Sequence, residues 1–589
     1  LARIRLSSAR VTRLMNRLQA RAQSARGRAT GFRNPPEPRS IGQFGRGRQI
    51  LGGTVLFAGH LVETGEGTLW DIDPPDAAFA EEAHGFGWLD DLAAVGDGRA
   101  RALARAWLWD WIDRYGRGRG PGWAPAVTGR RVIRWTTHST FLLRAQDKSA
   151  SSDFFRALSG QVRYLSRRWR AAPPGLARIE ALGGTIVAGL ALEGHEKVAE
   201  PAVSALARFC EREIAADGSI ANRNPEHLTE ILTLLNVCSG ALRASGRSVP
   251  SAMSEAVERI APTLRALRHA DGGLARFHGG GRGLDGRLDH ALAESGVRTR
   301  PRLENFPMGY GRLAAGRTTL IFDAAPPPSG PAAAEAHAST LAFELTSGRR
   351  PLIVNCGAGA VFGAAWRRAG RATPSHSTLG LDGHSSARLG PARRHGGVLQ
   401  ERLEGGPGRV VRELSRRAEG PRLEIAHDGY QASHGLTHAR TVDLSSDGRR
   451  VTGEDVLATL SSSDEMTFSR SLAASPAEGL PFSIRFHLHP DVDAELDLGG
   501  TAVSLVLKSG EIWILRQEGA DSLSLEPSVY LESGRLRPRP AKQVVLSGSA
   551  IAYATRIRWS LAKAQETPNA LRDTAGDDLM AELESEEMP

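Results

Sequence analysis

The sequence predicts an α+β multidomain chain, an α/α toroid of antiparallel helical hairpins followed by an antiparallel β-sandwich. Three observations carry that prediction. Apolar residues recur at i, i+3, i+4 and i+7 from about residue 90 to 292, the period changes to two after about residue 304, and Gly-containing or Asp-Gly turns separate the segments. At 589 residues the chain also exceeds what one hydrophobic core usually organises, so two domains are expected.

Residues 1–45 form a basic arm with a weak helical period at Leu6, Val11, Leu14 and Leu18. It has no continuous apolar stretch of the signal-peptide kind. The expectation is a helix that packs on its own domain or frays, with a surface-lying amphipathic helix as the alternative. The toroid domain, 46–303, holds the amphipathic segments DDLAAVGDGRARALARAWLWDWIDRYG, SDFFRALSGQVRYLSRRWR, EKVAEPAVSALARFCEREIAADG, PEHLTEILTLLNVCSGALRASG and SAMSEAVERIAPTLRALRHADG. Most of them stop at Gly or Asp-Gly, and no tight repeat accompanies them, which favours a toroid over a regular solenoid.

The sandwich domain, 304–562, holds strand-length runs such as RTTLIFDAA, RPLIVNCG, RLEIAHDGY, SIRFHLHP and EIWILRQEG. TVDLSSDGRRVTGEDVL reads as a hairpin turning at Asp-Gly. The tail 563–589, ending MAELESEEMP, is acidic and expected to be solvated.

Composition narrows the function classes. Cys210, Cys238 and Cys356 are far apart and lack CxxC spacing, which argues against a disulfide scaffold and a thiolate zinc knuckle. No apolar run approaches the length needed to cross a bilayer. The net charge of +10 rests almost wholly on arginine. A GC-rich coding sequence explains that, and an anionic partner is the functional alternative, since the guanidinium fork suits carboxylate or sulfate. No zinc finger, RNP motif or aromatic-interleaved basic stripe supports nucleic acid.

Three clusters carry candidate chemistry. In AEAHASTLAFELTSGRRPLIVNCG, Glu335 and His337 are two apart and would share a face of a strand, Asn355 ends the next strand, and His376 precedes another. Two imidazoles and an amide oxygen from adjacent β segments would suit a divalent ion such as zinc, and polar strand ends bonded to their neighbours are the plainer reading. In DGSIANRNPEHLTEIL, Asn224 and Pro225 have a full explanation as helix cap and first turn. Asn222, Arg223 and His227 do not, and such a set holds a carboxylate or moves a proton. In ADGGLARFHGGGRGLDG, His278 and Arg282 would face a cleft. HGGG is also the sequence of an esterase oxyanion loop, but no GxSxG elbow accompanies it. Tyr310 in FPMGYGRL opens a strand, and the pairs His487/His489 and His434/His438 read as packing.

The stretches GYGRL, AHASTLAFELTSGRRPLIVNCG and RATPSHSTLGLDG, with DGSIANRNPEHL and HGFGWLDDL, resemble the heparinase II/III-like proteins, bacterial polysaccharide lyases and their relatives. The resemblance covers about residues 50 to 560 and implies an incomplete α/α toroid joined to a β-sandwich with the cleft between them. It implies β-elimination on a uronate-containing, acidic glycan, which requires carboxylate neutralisation, proton abstraction and protonation of the leaving oxygen.

Carried over residue by residue, Asn222, Arg223 or Asn224 would neutralise the carboxylate, and His227, His278 or Glu335 would move protons. Arg282 and Tyr310 would contact substrate, and His337, Asn355 and His376 would hold one divalent metal, zinc or calcium. The family's His-x-His becomes Glu335-x-His337, its aspartate ligand becomes Asn355, and the loop 270–290 has no tyrosine. The alternative is a non-catalytic glycan-binding protein linked to cell-envelope polysaccharide. A glycoside hydrolase would need a carboxylate pair that the sequence does not nominate. The resemblance implies the cell envelope or periplasm, with the cytoplasm as the alternative.

Overall fold

The computed structural model describes residues 2–33, 41–65, 67–395 and 398–564. The acidic tail lies outside the described residues from Gln565 onward. Long helices build the first part: α1 (Ala2–Ser24), α2 (Gly98–Tyr115), α3 (Pro125–Thr137), α4 (Lys148–Arg168), α5 (Leu176–Ala191), α6 (Glu196–Glu213), α7 (Pro225–Ala244) and α8 (Ser251–Ala266). Side-chain caps fix the starts of three of them. Asp97, Asp147 and Asn224 accept from backbone N–H groups of the first turns of α2, α4 and α7, satisfying donors that a helix start otherwise leaves orphaned.

The helical core is aromatic. Trp88, Trp107, Trp111, Trp135, Phe86 and Phe154 are buried together. Arg131 is buried among them with its guanidinium 4.1 Å from the Trp111 ring centre, and it donates to Gln161 Oε1 and to the carbonyls of His84 and Gly122. Helices α3 and α5 approach closely where Gly129 faces Gly184, and a Cβ on Gly184 would lie 2.7 Å from the Gly129 Cα. The core runs from Ala20 of α1 through to Tyr310, Ile321 and Ala342, so the helical layer packs directly on the sandwich. The basic arm thus contributes a docked helix, and a short hairpin, Thr54–Phe57 with His60–Glu63, follows it that the sequence reading lacked.

The sandwich strands are β1 (Tyr310–Ala315), β2 (Thr318–Asp323), β3 (Phe343–Ser347), β4 (Arg350–Val354), β5 (Leu379–Leu381), β6 (Val410–Arg417), β7 (Gly420–Tyr430) and β8 (Leu436–Leu444). They continue with β9 (Arg450–Ala458), β10 (Leu480–Leu488), β11 (Val492–Asp497), β12 (Ala502–Leu507), β13 (Ile512–Glu518), β14 (Ser522–Tyr530), β15 (Arg539–Ala550) and β16 (Ala554–Lys563). One sheet runs β14-β15-β10-β4-β3-β2-β1, with β5 also paired to β10. The other runs β6-β7-β8-β9-β16-β13-β12-β11. Leu320, Phe343, Leu345, Ile484 and Phe486 of the first meet Leu423, Val442, Val451, Trp513 and Leu561 of the second in one core. The expected hairpin is present, with Leu444 opposite Val451 and Gly448 at φ 71°.

One expectation is corrected. Glu335 and His337 are not on a strand: a 3-10 turn, Gly330–Ala334, leads into an irregular segment, and the strand begins only at Phe343. The physical reason is buried arginine. Arg371 donates to the carbonyls of Ala333 and Ala336, and Arg440 donates to those of Leu341 and Ser377, so this backbone is satisfied without a ladder.

Candidate functional site

The site lies at the seam between the domains, around Asp323 at the end of β2. The loop before α7 sends Arg223 across the seam, where it donates to the carbonyls of Met308, Gly309, Ala325 and Pro326 and to Asp323 Oδ1. His278 Nε2 lies 3.3 Å from Asp323 Oδ2, and Ser339 Oγ donates to the same oxygen at 2.6 Å. Burial alone would raise the Asp323 carboxyl, but Arg223 and then His278 outweigh it and hold the group far below the usual carboxylate range. Arg223, His278, Phe306 and Met308 all take positive φ, between 48° and 56°, so backbone strain concentrates at this seam.

The clasp engages several expected site residues internally. Arg223 is buried, so it does not meet a ligand's carboxylate. Tyr310 is buried beneath the clasp and donates its hydroxyl to the Arg223 carbonyl; it is not a substrate contact. His278 is fully buried, its Nδ1 accepts from the His337 backbone N–H, and burial lowers its pKa against the pull of Asp323. Asn224 caps α7 through Oδ1 and donates Nδ2 to the His278 carbonyl at 3.2 Å.

A second group stays partly open to solvent. Asn222 Oδ1 accepts from the Asn224 N–H, which orients its Nδ2 toward His227 Nδ1 at 2.8 Å. The His227 lone pair on Nδ1 is therefore an acceptor already in use, and Nε2 carries the proton. Burial lowers the His227 pKa, and Glu335 and Glu230 oppose that shift. Glu335 accepts from Arg367 at 2.9 Å. Glu226 accepts from the Gly281 N–H at 2.8 Å, tying down the glycine loop, and Arg282 on that loop pairs with Asp271 and Asp285.

Two of the proposed metal ligands bond to each other, and the third bonds to the backbone beside them. His376 Nδ1 donates to the Ala372 carbonyl at 2.8 Å, so its Nε2 is the acceptor for His337 Nδ1 at 3.1 Å. Burial keeps both imidazoles neutral, His376 with a pKa of about 4. Asn355 Oδ1 accepts from the Ser377 N–H at 3.0 Å, and its Nδ2 is buried without a hydrogen-bond partner. A cation needs lone pairs, and here His376 Nε2 is spent on the His337 N–H and Asn355 Oδ1 on the Ser377 N–H, which leaves one free imidazole acceptor, His337 Nε2. Among the described residues no three His, Cys, Asp or Glu side chains gather as a metal site. The donor set does not fit a divalent ion.

The groove on the toroid side is lined by Arg130, Arg134, Glu180, Glu230 and Arg287 above Ile133, Leu234 and Val237. Each arginine faces a carboxylate: Arg134 with Asp90 at 2.9 Å, Arg287 with Glu230 at 2.7 Å, Arg130 with Glu180 at 3.7 Å. Burial raises Glu180 to about 7 and raises Glu230 as well. The groove is thus balanced in charge rather than cationic. The sequence reading missed Asp323, Arg371 and Arg440; Asp323 ends an apolar run and Arg440 interrupts a strand, while Arg371, in AAWRRAGRATP, leaves no such trace.

A helical toroid closed on a two-sheet sandwich through a polar seam is a heparinase III-like fold. Residues 298–560 match the family model described as heparinase II/III-like, C-terminal. The chain is 32% identical over 537 residues to FtsZ-localized protein C of Caulobacter vibrioides (strain NA1000 / CB15N), covering 90% of each chain. It belongs to the heparinase II/III-like family. Among solved structures it is similar to heparinase III, with a TM-score of 0.67 at 13% identity over 92% of this chain and 88% of that one. A heparan sulfate lyase HepC mutant from Pedobacter heparinus gives a TM-score of 0.55 at 16% identity, covering 97% and 92%. Those likenesses are of fold.

Proposed function

We propose that the protein is a non-catalytic binding protein on the polysaccharide-lyase fold, working at the cell envelope where division takes place. The observation that carries the reading is the state of its two central imidazoles: His227 Nδ1 accepts from Asn222, and His278 Nδ1 accepts from the His337 backbone. Neither presents a lone pair to a C5 proton. Glu335 stands where the family's proton-transfer histidine is expected and is held by Arg367. With both imidazole acceptors engaged, the proton abstraction that β-elimination requires has no free imidazole of this pair to carry it.

The relative named FtsZ-localized protein C, aligned over nine-tenths of both chains, supports a place at the division site. Similarity of fold to heparinases supports a glycan as the ligand of the seam, and the paired arginines of the toroid groove suit a weakly charged glycan better than a sulfated one. Attachment to the envelope is assigned to α1. One face of it packs on α4, while Val11, Leu14, Met15 and Leu18 are exposed beside Arg10, Arg13, Arg17 and Arg21. An apolar stripe flanked by arginines suits the boundary of an anionic lipid layer.

Imaging a fluorescent fusion beside FtsZ, together with glycan binding and turnover measured on the same preparation, tests the reading. A midcell band with binding and no unsaturated product is expected. A diffuse signal with uronate turnover would overturn it.

A further inference from the structure

The exposed stripe of α1 and the tail beyond the sandwich carry the same apolar spacing with opposite charge. On α1 the sequence is Leu14-Met15-Asn16-Arg17-Leu18, and in the tail it is Leu579-Met580-Ala581-Glu582-Leu583. Residues 1–33 contain nine arginines and no acid, whereas residues 565–589 contain eight acids and one arginine. The α1 members of this match are accessible, Leu14 at 55%, Met15 at 38% and Leu18 at 49%, and Val11 one turn earlier is 55% exposed. The helix itself is held in place from behind. Ala20 and Gln23 are buried, Arg168 donates to Asn16 Oδ1 at 2.8 Å, and the Cα of Ser24 would lie 2.9 Å from a Cβ on Gly160.

We infer that the stretch 565–589 docks on this face of α1 in the same chain and competes there with anionic lipid. Leu579 and its neighbours would cover the apolar stripe, and Glu582, Glu584, Glu586 and Glu587 would meet Arg10, Arg13, Arg17 and Arg21, opposite charges along an apolar seam being what fixes partner and register between such segments. The fifteen residues from Ala564 to Leu579 allow a reach of about 50 Å. An apolar stripe of this kind left uncovered favours self-association, and a tethered partner at high effective concentration prevents it. The competition with lipid rests on the proposed attachment of α1 to a membrane surface; the docking does not.

The test uses a synthetic peptide of residues 565–589 and the chain ended after Ala564, which retains every strand and helix described above. Saturable binding of the peptide is expected, weakened at least tenfold by Arg13→Glu with Arg17→Glu, and separately by Leu14→Glu. It should be indifferent to Arg556→Glu on the sandwich. No binding, or binding insensitive to the α1 variants, would overturn the docking. Co-sedimentation with vesicles containing phosphatidylglycerol then compares the two chain lengths. The shortened chain should bind several-fold more, with added peptide restoring the lower level, and equal binding would overturn the competition. Peptide binding with no vesicle binding by either form would sink the membrane reading and the competition while the docking stands. A full-length dimer that becomes a monomer on shortening would replace the intramolecular contact with one between copies.

Discussion

Arg223 and Asp323, a hundred residues apart, share a buried ion pair that joins the helical domain to the sandwich. The guanidinium also meets four backbone carbonyls, so every donor direction of its planar fork is used at the seam. A residue placed to neutralise a ligand's carboxylate would need at least one of those directions open. Here the arginine holds the two halves of the molecule in one relation.

Removing one partner should therefore be far costlier than the pair's net worth. Asp323→Asn leaves a buried guanidinium uncompensated and should lower stability by about 3–5 kcal/mol. Arg223→Lys should also destabilise, because an ammonium cannot span the carbonyls of Met308, Gly309, Ala325 and Pro326 together. The midpoint of chemical denaturation measures both. The Asp323 contribution, from a depressed folded pKa, is present above the ordinary carboxylate range and is lost only far into acid.

Histidines dominate the response to mild acid. Burial lowers His84 and His487 to about 3, so both stay neutral in the folded chain while they charge near 6.5 when unfolded. The unfolded state then binds more protons as pH falls, and stability present above that value is lost below it. Each should cost about 1 kcal/mol between pH 7 and 5.5. Melting temperature against pH checks this, and a flat profile over that interval would contradict it.

At the start of α7, Asn224 has two separable jobs. Asn224→Ala removes the cap and the donor to His278, for a loss of about 1–2 kcal/mol. Asn224→Ser keeps a capping oxygen and loses the donor to His278, so it should fall between alanine and wild type.

Restoring the family's donor types should create a cation site where the present one does not fit. Asn355→Asp puts the family's acidic ligand back beside the backbone of Ser377, next to His376 and its partner His337. Zinc affinity, followed by competition with a chromogenic chelator, should rise in that variant. Unchanged affinity would mean that the segment held by Arg371 and Arg440 cannot rearrange around an ion.

On α1 of the chain ended after Ala564, Leu14→Glu with Leu18→Glu should abolish co-sedimentation with anionic vesicles and leave the melting temperature unchanged, since both side chains are exposed. A shift in melting temperature would instead mean that the stripe packs on the protein.

The two-part fold was legible because period is a local signal: α7 announces itself through Asn224 and Pro225, and the hairpin of β8 and β9 through Asp447 and Gly448. The seam was not legible. Asp323 reads as the end of an apolar strand, and only the fold brings Arg223 and His278 to it. Glu335 and His337 were expected on one face of a strand, because alternation in AEAHAST matches that period; carbonyls satisfied by Arg371 let the segment stay irregular. His337 and His376 were read as ligands of one ion, and spacing could not reveal that they bond to each other.

The most direct test of a non-catalytic seam is ultraviolet absorbance of a 4,5-unsaturated uronate while the purified protein meets a panel of uronate polymers, with and without divalent metal. A flat trace is expected throughout, with glycan retained at equilibrium. A rise that disappears in His227→Ala would contradict it, since that imidazole would then have left Asn222 to act as a base.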